Sequence, residues 1–177
     1  MDILIRPITT ILSSTVIVLL LISGISAFSL AFAYTAQYVF GLEPCILCLY
    51  QRVPFAIAIF LGLTGLFFRN TSPPASLICI GLSAPVFLAN AVIAFYHTGV
   101  EQKWWKSAFE ACRINFDTSN ENLLESILKA PTARCDEIPW SDPILNLSMA
   151  NYNIALSLGM AVLCILSIVF IKNLKNP

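Results

Sequence analysis

Charge is scarce in this chain. Ten residues are Lys or Arg and ten are Asp or Glu, 11% of 177, where a soluble domain carries about 25%. The formal net charge is zero, so nothing attracts nucleic acid or an acidic surface. A G-x-G-x-x-G fingerprint is missing, and no His follows a Cys-x-x-Cys pair, so neither dinucleotide binding nor covalent haem is indicated. Internal repeats and low-complexity tracts are also absent. These gaps exclude an ordinary cytosolic enzyme, a nucleic-acid binder and a disordered chain. What is present is apolar: 58% of the residues are hydrophobic. A water-soluble protein of this length cannot hide so much apolar side chain, and the solvent it suits is lipid.

The charges that exist leave four long gaps, at 7–42, 53–68, 70–100 and 143–171. About 20 apolar residues in a helix span the hydrocarbon core. The gaps predict one all-α membrane domain over 1–177, a four-transmembrane-helix bundle with spans near 11–33, 49–68, 75–96 and 148–171. Arg52 falls near an end of the second span, where its stem reaches the headgroups. Ala31-Phe32-Ala33 looks like a signal cleavage site, but the uncharged run is too long for a signal h-region. An uncleaved anchor is the better reading. Arg6, Arg69, Lys172 and Lys175 flank the spans on the side of the termini. The segment 97–147 carries five basic and eight acidic residues. By the positive-inside rule the termini face the cytoplasm and 97–147 faces outward. In that loop Thr118-Ser119-Asn120-Glu121 fits a capping box. Leu123, Leu124, Ile127 and Leu128 then share a face until Pro131, which predicts a short outer amphipathic helix, lying on the membrane or packed on the loop's own core.

Six cysteines do not fit a plain anchor. Cys79 and Cys164 fall inside spans and read as small hydrophobes. Cys45, Cys48, Cys112 and Cys135 lie on the outer side, an oxidising compartment if the membrane is a bacterial inner membrane. They allow three pairings; Cys45–Cys48 with Cys112–Cys135 needs the least chain closure. Two structural disulfides suit Cys112–Cys135 but not Cys45–Cys48, whose two-residue spacer staples almost nothing. A four-cysteine zinc site wants two close pairs, and the second pair is widely spread, so no metal is expected. Thiol–disulfide exchange suits a Cys-x-x-Cys at a helix start. Arg52, four residues after Cys48, shares its helical face and can stabilise a thiolate or hold a ligand oxygen, or simply anchor the interface. Such a pair needs an electron acceptor, and outside the cytoplasm a quinone dissolved in the bilayer is the natural one.

The run Leu42-Glu-Pro-Cys-Ile-Leu-Cys-Leu-Tyr-Gln-Arg52 resembles the signature of the DsbB family of disulfide-forming membrane proteins. The four spans, the later cysteine pair between the third and fourth, Tyr96-His97-Thr98 and Trp140 match as well, over roughly 11–171. The resemblance implies a membrane oxidoreductase that reoxidises a DsbA-like periplasmic thiol oxidase and passes electrons to ubiquinone or menaquinone. It implies that Cys112 forms the mixed disulfide, Cys135 leaves, Cys45–Cys48 reoxidises that pair, and Cys48 delivers electrons to the quinone. Arg52 and His97 map onto the family's quinone-side residues. Gln51 departs from members with Glu before the Arg. The short Tyr96–Trp105 stretch, with Trp104 and Trp105 as interfacial aromatics, suggests a shorter-looped branch. Vitamin K epoxide reductase-like proteins fit less well, because their Cys-x-x-Cys lies late in the chain. Two other readings stay open: a non-catalytic scaffold with structural disulfides, and an oxidase dedicated to one client.

Overall fold

The computed structural model describes residues 12–109, 112 and 133–175. Among them run four helices: α1 Thr15–Tyr38, α2 Ile46–Phe67, α3 Pro73–Glu101 and α4 Met149–Lys175. Each is long and apolar enough to cross a membrane. The described residues contain no strand, only an isolated bridge between Ser141 and Ser148. The protein is an all-α membrane bundle. The predicted amphipathic helix at 118–131 lies outside the described residues.

Helix α3 lies between α2 and α4, and α1 packs chiefly on α2. The core is built from Val18, Leu19 and Ile22 of α1, Phe55 and Ala58 of α2, Ile80 and Phe87 of α3, and Met160 of α4. Cys79 and Cys164 are free thiols within it. Large apolar side chains also point outward, with Phe28 73% and Phe60 70% exposed. In water that surface would aggregate; in lipid it faces its proper solvent, and the helical backbone closes most of its N–H and C=O groups within each segment.

Small residues set how closely α1 and α2 approach. A Cβ on Gly62 would stand 2.1 Å from Ser23 Oγ and 3.1 Å from the Leu19 carbonyl oxygen. On Gly65 it would meet Leu19 Cδ2 at 2.6 Å.

The helix ends differ from those the charge gaps suggested. Ser14 caps α1 by accepting from the Ile17 N–H at 3.5 Å, and α1 runs on to Tyr38 rather than ending near 33. Helix α2 begins at Ile46 and continues through Pro54 without a break. Helix α3 ends at Glu101, not near 96. Its end is closed by Lys103 in the left-handed region, φ 60°. The Trp104 N–H then reaches the Gly99 carbonyl at 2.8 Å and the Lys103 N–H that of Val100 at 3.1 Å, a Schellman closure. Trp105 lies flat on Gly99, where a Cβ would be 2.0 Å from the indole. Its Nε1–H donates to the Tyr96 carbonyl at 3.2 Å. The added turns carry His97 and Glu101 on the helix.

Gly62→Val should force α1 and α2 apart and destabilise the bundle by about 1–3 kcal/mol, the usual range for overpacking. Thermal unfolding in detergent checks this; an unchanged midpoint would mean that the two helices are not pressed together at Gly62.

Candidate functional site

Helix α2 starts immediately after Pro44, and Cys45 is its N-cap. The Cys45 sulfur accepts from the Cys48 backbone N–H at 3.4 Å. One turn on, Cys48 brings its sulfur to 3.3 Å from that of Cys45, the two standing as unbonded thiols. Cys45 is buried and Cys48 half-buried.

The end of α3 meets this turn. His97 Nε2 lies 3.4 Å from Cys45 Sγ. Its Nδ1 lies 2.9 Å from Gln51 Nε2. Because the Gln51 nitrogen is a donor, Nδ1 accepts and the ring proton sits on Nε2, toward Cys45. Gln51 Oε1 accepts from Asn153 Nδ2 at 2.6 Å. Asn90 Nδ2 donates to Asn153 Oδ1 at 3.1 Å and to Ser157 Oγ at 3.0 Å. This chain of amides ties α2, α3 and α4 together on the buried side of the cysteine pair. Glu101, one turn after His97, places Oε1 3.6 Å from His97 Nε2, both side chains buried. The Ser148 hydroxyl donates to the other carboxylate oxygen.

The Cys45 thiol is held well below its ordinary pKa of 9.0. The hydrogen bond it shares with the Cys48 thiol is the largest cause, and a hydrogen bond from His97 adds to it; burial opposes them. The helix dipole works in the same direction. The thiolate form of Cys45 is therefore the favoured one at neutral pH.

The second cysteine pair is bonded, Cys112 to Cys135 across 23 positions. It is buried, and it packs in one apolar cluster with Cys45, Leu47 and Val100, with Cys48 and Tyr96 against the edge. Next to Cys135 an exposed Arg134 grips Asp136 at 2.9 and 2.7 Å. The Tyr96 hydroxyl accepts from the Ala108 N–H at 2.8 Å, which holds the chain at Ala108 over the end of α3. Arg52 turns the other way: Nη1 donates to Gln37 Oε1 of α1 at 2.8 Å, and the guanidinium sits 4.8 Å above the Tyr34 ring.

Of the six residues singled out in the sequence, the structure thus gathers Cys45, Cys48, Cys112, Cys135 and His97. Arg52 faces the α1 side of the same helix. Spacing discounts a four-cysteine zinc site, but it does not address a mixed set: the ligand atoms of Cys45, Cys48 and His97 lie within 4.8 Å of one another. Gln51, Glu101, Ser148 and Asn153 were not picked out. The one local signal was the four-residue step from His97 to Glu101; the others meet the site only through helix packing. A cavity of about 610 Å³ opens at the opposite end, lined by Ser13, Thr15, Arg69 and Asn70 among others, and plays no part here.

The sequence profile of the disulfide bond formation protein DsbB matches residues 15–167. This chain belongs to the DsbB family. It is also similar to an uncharacterized protein of Rickettsia prowazekii (strain Madrid E), 29% identical over 159 residues that cover 88% of this chain and 89% of that protein. No solved structure matches it. As a DsbB family member with four membrane-spanning candidates, it is a multi-pass membrane protein of disulfide bond formation, and its cysteine pairs are where that chemistry is expected.

In this DsbB family member, Cys45 should be alkylated by iodoacetamide in mildly acidic, chelator-treated buffer. The reactive thiolate is lost only as pH falls through its lowered pKa. His97→Ala should raise the midpoint by about one unit or more, the worth of a hydrogen bond to a charged group. Mass spectrometry of the labelled peptide reads this, and an unmoved midpoint would remove His97 from the thiolate's support.

Proposed function

We propose that this DsbB-family protein oxidises a periplasmic DsbA-like dithiol and passes the electrons to a membrane quinone. The observation that carries this reading is the shared apolar cluster, in which the Cys112–Cys135 disulfide packs against Cys45 while Cys45 and Cys48 are thiols. Two pairs in contact, one oxidised and one reduced, are what an internal relay requires.

The steps balance in electrons and protons. A thiolate of the partner attacks Cys112, Cys135 leaves as thiolate, and the partner's second thiol resolves the mixed disulfide. The partner is oxidised by two electrons and the Cys112/Cys135 pair is reduced. A thiolate of that pair attacks the Cys45–Cys48 disulfide and regenerates its own disulfide, leaving Cys45 and Cys48 reduced. Cys45, with its stabilised thiolate, is the better leaving group toward the loop pair. Cys48 is the exit, and the pair returns to a disulfide as two electrons and two protons depart. Cys112 is only 2% exposed, so the partner has to draw the loop off the cluster before attack.

A quinone, when bound, supplies the two-electron, two-proton sink. The residues beside Cys48 fit such a group. Arg52 is a multiple donor of which one N–H is engaged by Gln37, leaving others for a ring carbonyl. Val53 next to it in the chain, and Tyr38, Val39 and Phe40 following its partner Gln37, are exposed apolar groups, suited to an isoprenoid ligand arriving through lipid. The resemblance put His97 beside the quinone; its burial against Cys45, Gln51 and Glu101 favours a role in holding the Cys45 thiolate. The charge asymmetry of the loops supports an inner-membrane orientation with cytoplasmic termini.

Proteoliposomes carrying ubiquinone and a reduced DsbA-like protein test the reading through the absorbance of quinol formation. Cys48→Ala should abolish turnover, and a normal rate in that variant would defeat the mechanism. Arg52→Met should raise the KM for quinone about tenfold or more, the worth of a hydrogen bond from a charged donor, with exchange between the cysteine pairs intact. A protein that stays oxidised and inert toward every dithiol would instead be a scaffold.

A further inference from the structure

The inner cysteine pair has a second chemistry available only when it is reduced. Its two sulfurs stand 3.3 Å apart and His97 Nε2 stands 3.4 Å from Cys45 Sγ. In a tetrahedral zinc site, bonds of about 2.3 Å to sulfur and about 2.0–2.1 Å to nitrogen imply edges of roughly 3.8 Å between sulfurs and roughly 3.6 Å from sulfur to nitrogen. These two edges need to open by only a few tenths of an ångström, and the third, from Cys48 to His97, lies within 4.8 Å and has to close by about 1 Å at most. The donor set, two thiolates and an imidazole, is the borderline-soft kind that zinc favours. The three groups come from two rigid helices, at the first turn of α2 and the last turns of α3, so little chain has to be ordered. Cys48 is half-buried and offers an entry path.

We propose that the reduced Cys45–Cys48 pair and His97 bind a borderline-soft divalent cation, zinc foremost, which holds the dithiol out of exchange. Any proton still on the two sulfurs passes to water on binding, and the metal keeps its charge. Water can complete the coordination, and Glu101, anchored by Ser148, stands 3.6 Å from His97 Nε2 as the nearby negative group. Forming the Cys45–Cys48 disulfide removes two of the three ligands, so oxidation releases the ion. The site is thereby gated by the redox state of the pair. Its effect on turnover rests on the function proposed above; binding itself does not.

The metal-bound form makes a demand on Gln51. With Nε2 on the metal, the ring proton moves to Nδ1, and Gln51 has to present its oxygen there instead of its nitrogen. A carboxylate would meet that demand better, because it only accepts. Outer-shell acceptors of this kind change metal affinity by about 10–100-fold. Gln51→Glu should therefore tighten binding by about tenfold, a gain that no loss of folding can imitate.

The test is a cobalt(II) titration of the full chain in detergent, without quinone or partner. The Cys112→Ser/Cys135→Ser background keeps the loop thiols out. The reduced protein should take up one equivalent with a thiolate-to-cobalt charge-transfer band, and zinc should displace it. The oxidised protein should show no band. His97→Ala should weaken binding by at least about a hundredfold, since loss of a ligand exceeds loss of an outer-shell partner. No band in the reduced protein, equal binding after oxidation, or an affinity unmoved by both His97→Ala and Gln51→Glu would overturn the proposal. Because no electron acceptor is present, such failure would leave the relay reading standing. A failed quinol assay would likewise leave a positive titration intact.

Discussion

Hydrocarbon offers no hydrogen bonds, and the rest of this molecule follows from that constraint. A hydroxyl carried into the bundle can turn back to a carbonyl of its own helix, as Ser23 and Ser83 do, but an amide has more groups to satisfy and needs partners on other helices. Asn90, Asn153, Ser157 and Gln51 meet most of that demand jointly, in a chain of amides and a hydroxyl that ends on the ring of His97, with the Asn90 Oδ1 left over. The same bonds that join α2, α3 and α4 therefore orient the imidazole facing Cys45. Packing and site geometry here are one network, so a change in helix register at Asn153 would be felt at the sulfur.

The first turn of α2 concentrates the chemistry. As N-cap, Cys45 receives the Cys48 N–H, the positive end of the helix and the face of His97 together. A serine in that place would cap the helix equally well. What a sulfur adds is a thiolate whose charge the helix end already favours.

Much of this was readable from the chain. The uncharged stretches marked four helices because lipid penalises charge wherever it occurs, a local rule that needs no knowledge of neighbours. The grouping of four cysteines on one side followed from the same topology. The ends of the helices were harder. The run of α3 to Glu101 depends on Trp105 settling on Gly99, a contact made by residues beyond the apolar stretch. Gln51 stood out only as a departure from the family pattern, yet it is the residue that touches His97 Nδ1. Arg52 shares a helical face with Cys48 by spacing, but its guanidinium is claimed by Gln37 and Tyr34 of α1, which no periodicity in α2 could show. Amide partners across helices leave no trace in the order of residues.

The burial of the Cys112–Cys135 bond against Cys45 also bears on what the protein refuses to do. A disulfide open to solvent is at the mercy of every small thiol that diffuses past, and each such encounter would drain oxidising power to no purpose. Sealed beneath Tyr96 and beside Leu47 and Val100, the bond is out of reach of casual reductants. On the proposed relay, only a macromolecule large enough to grip the loop and peel it back would reach it. Insulation, as in any conductor, decides where the current is allowed to leave.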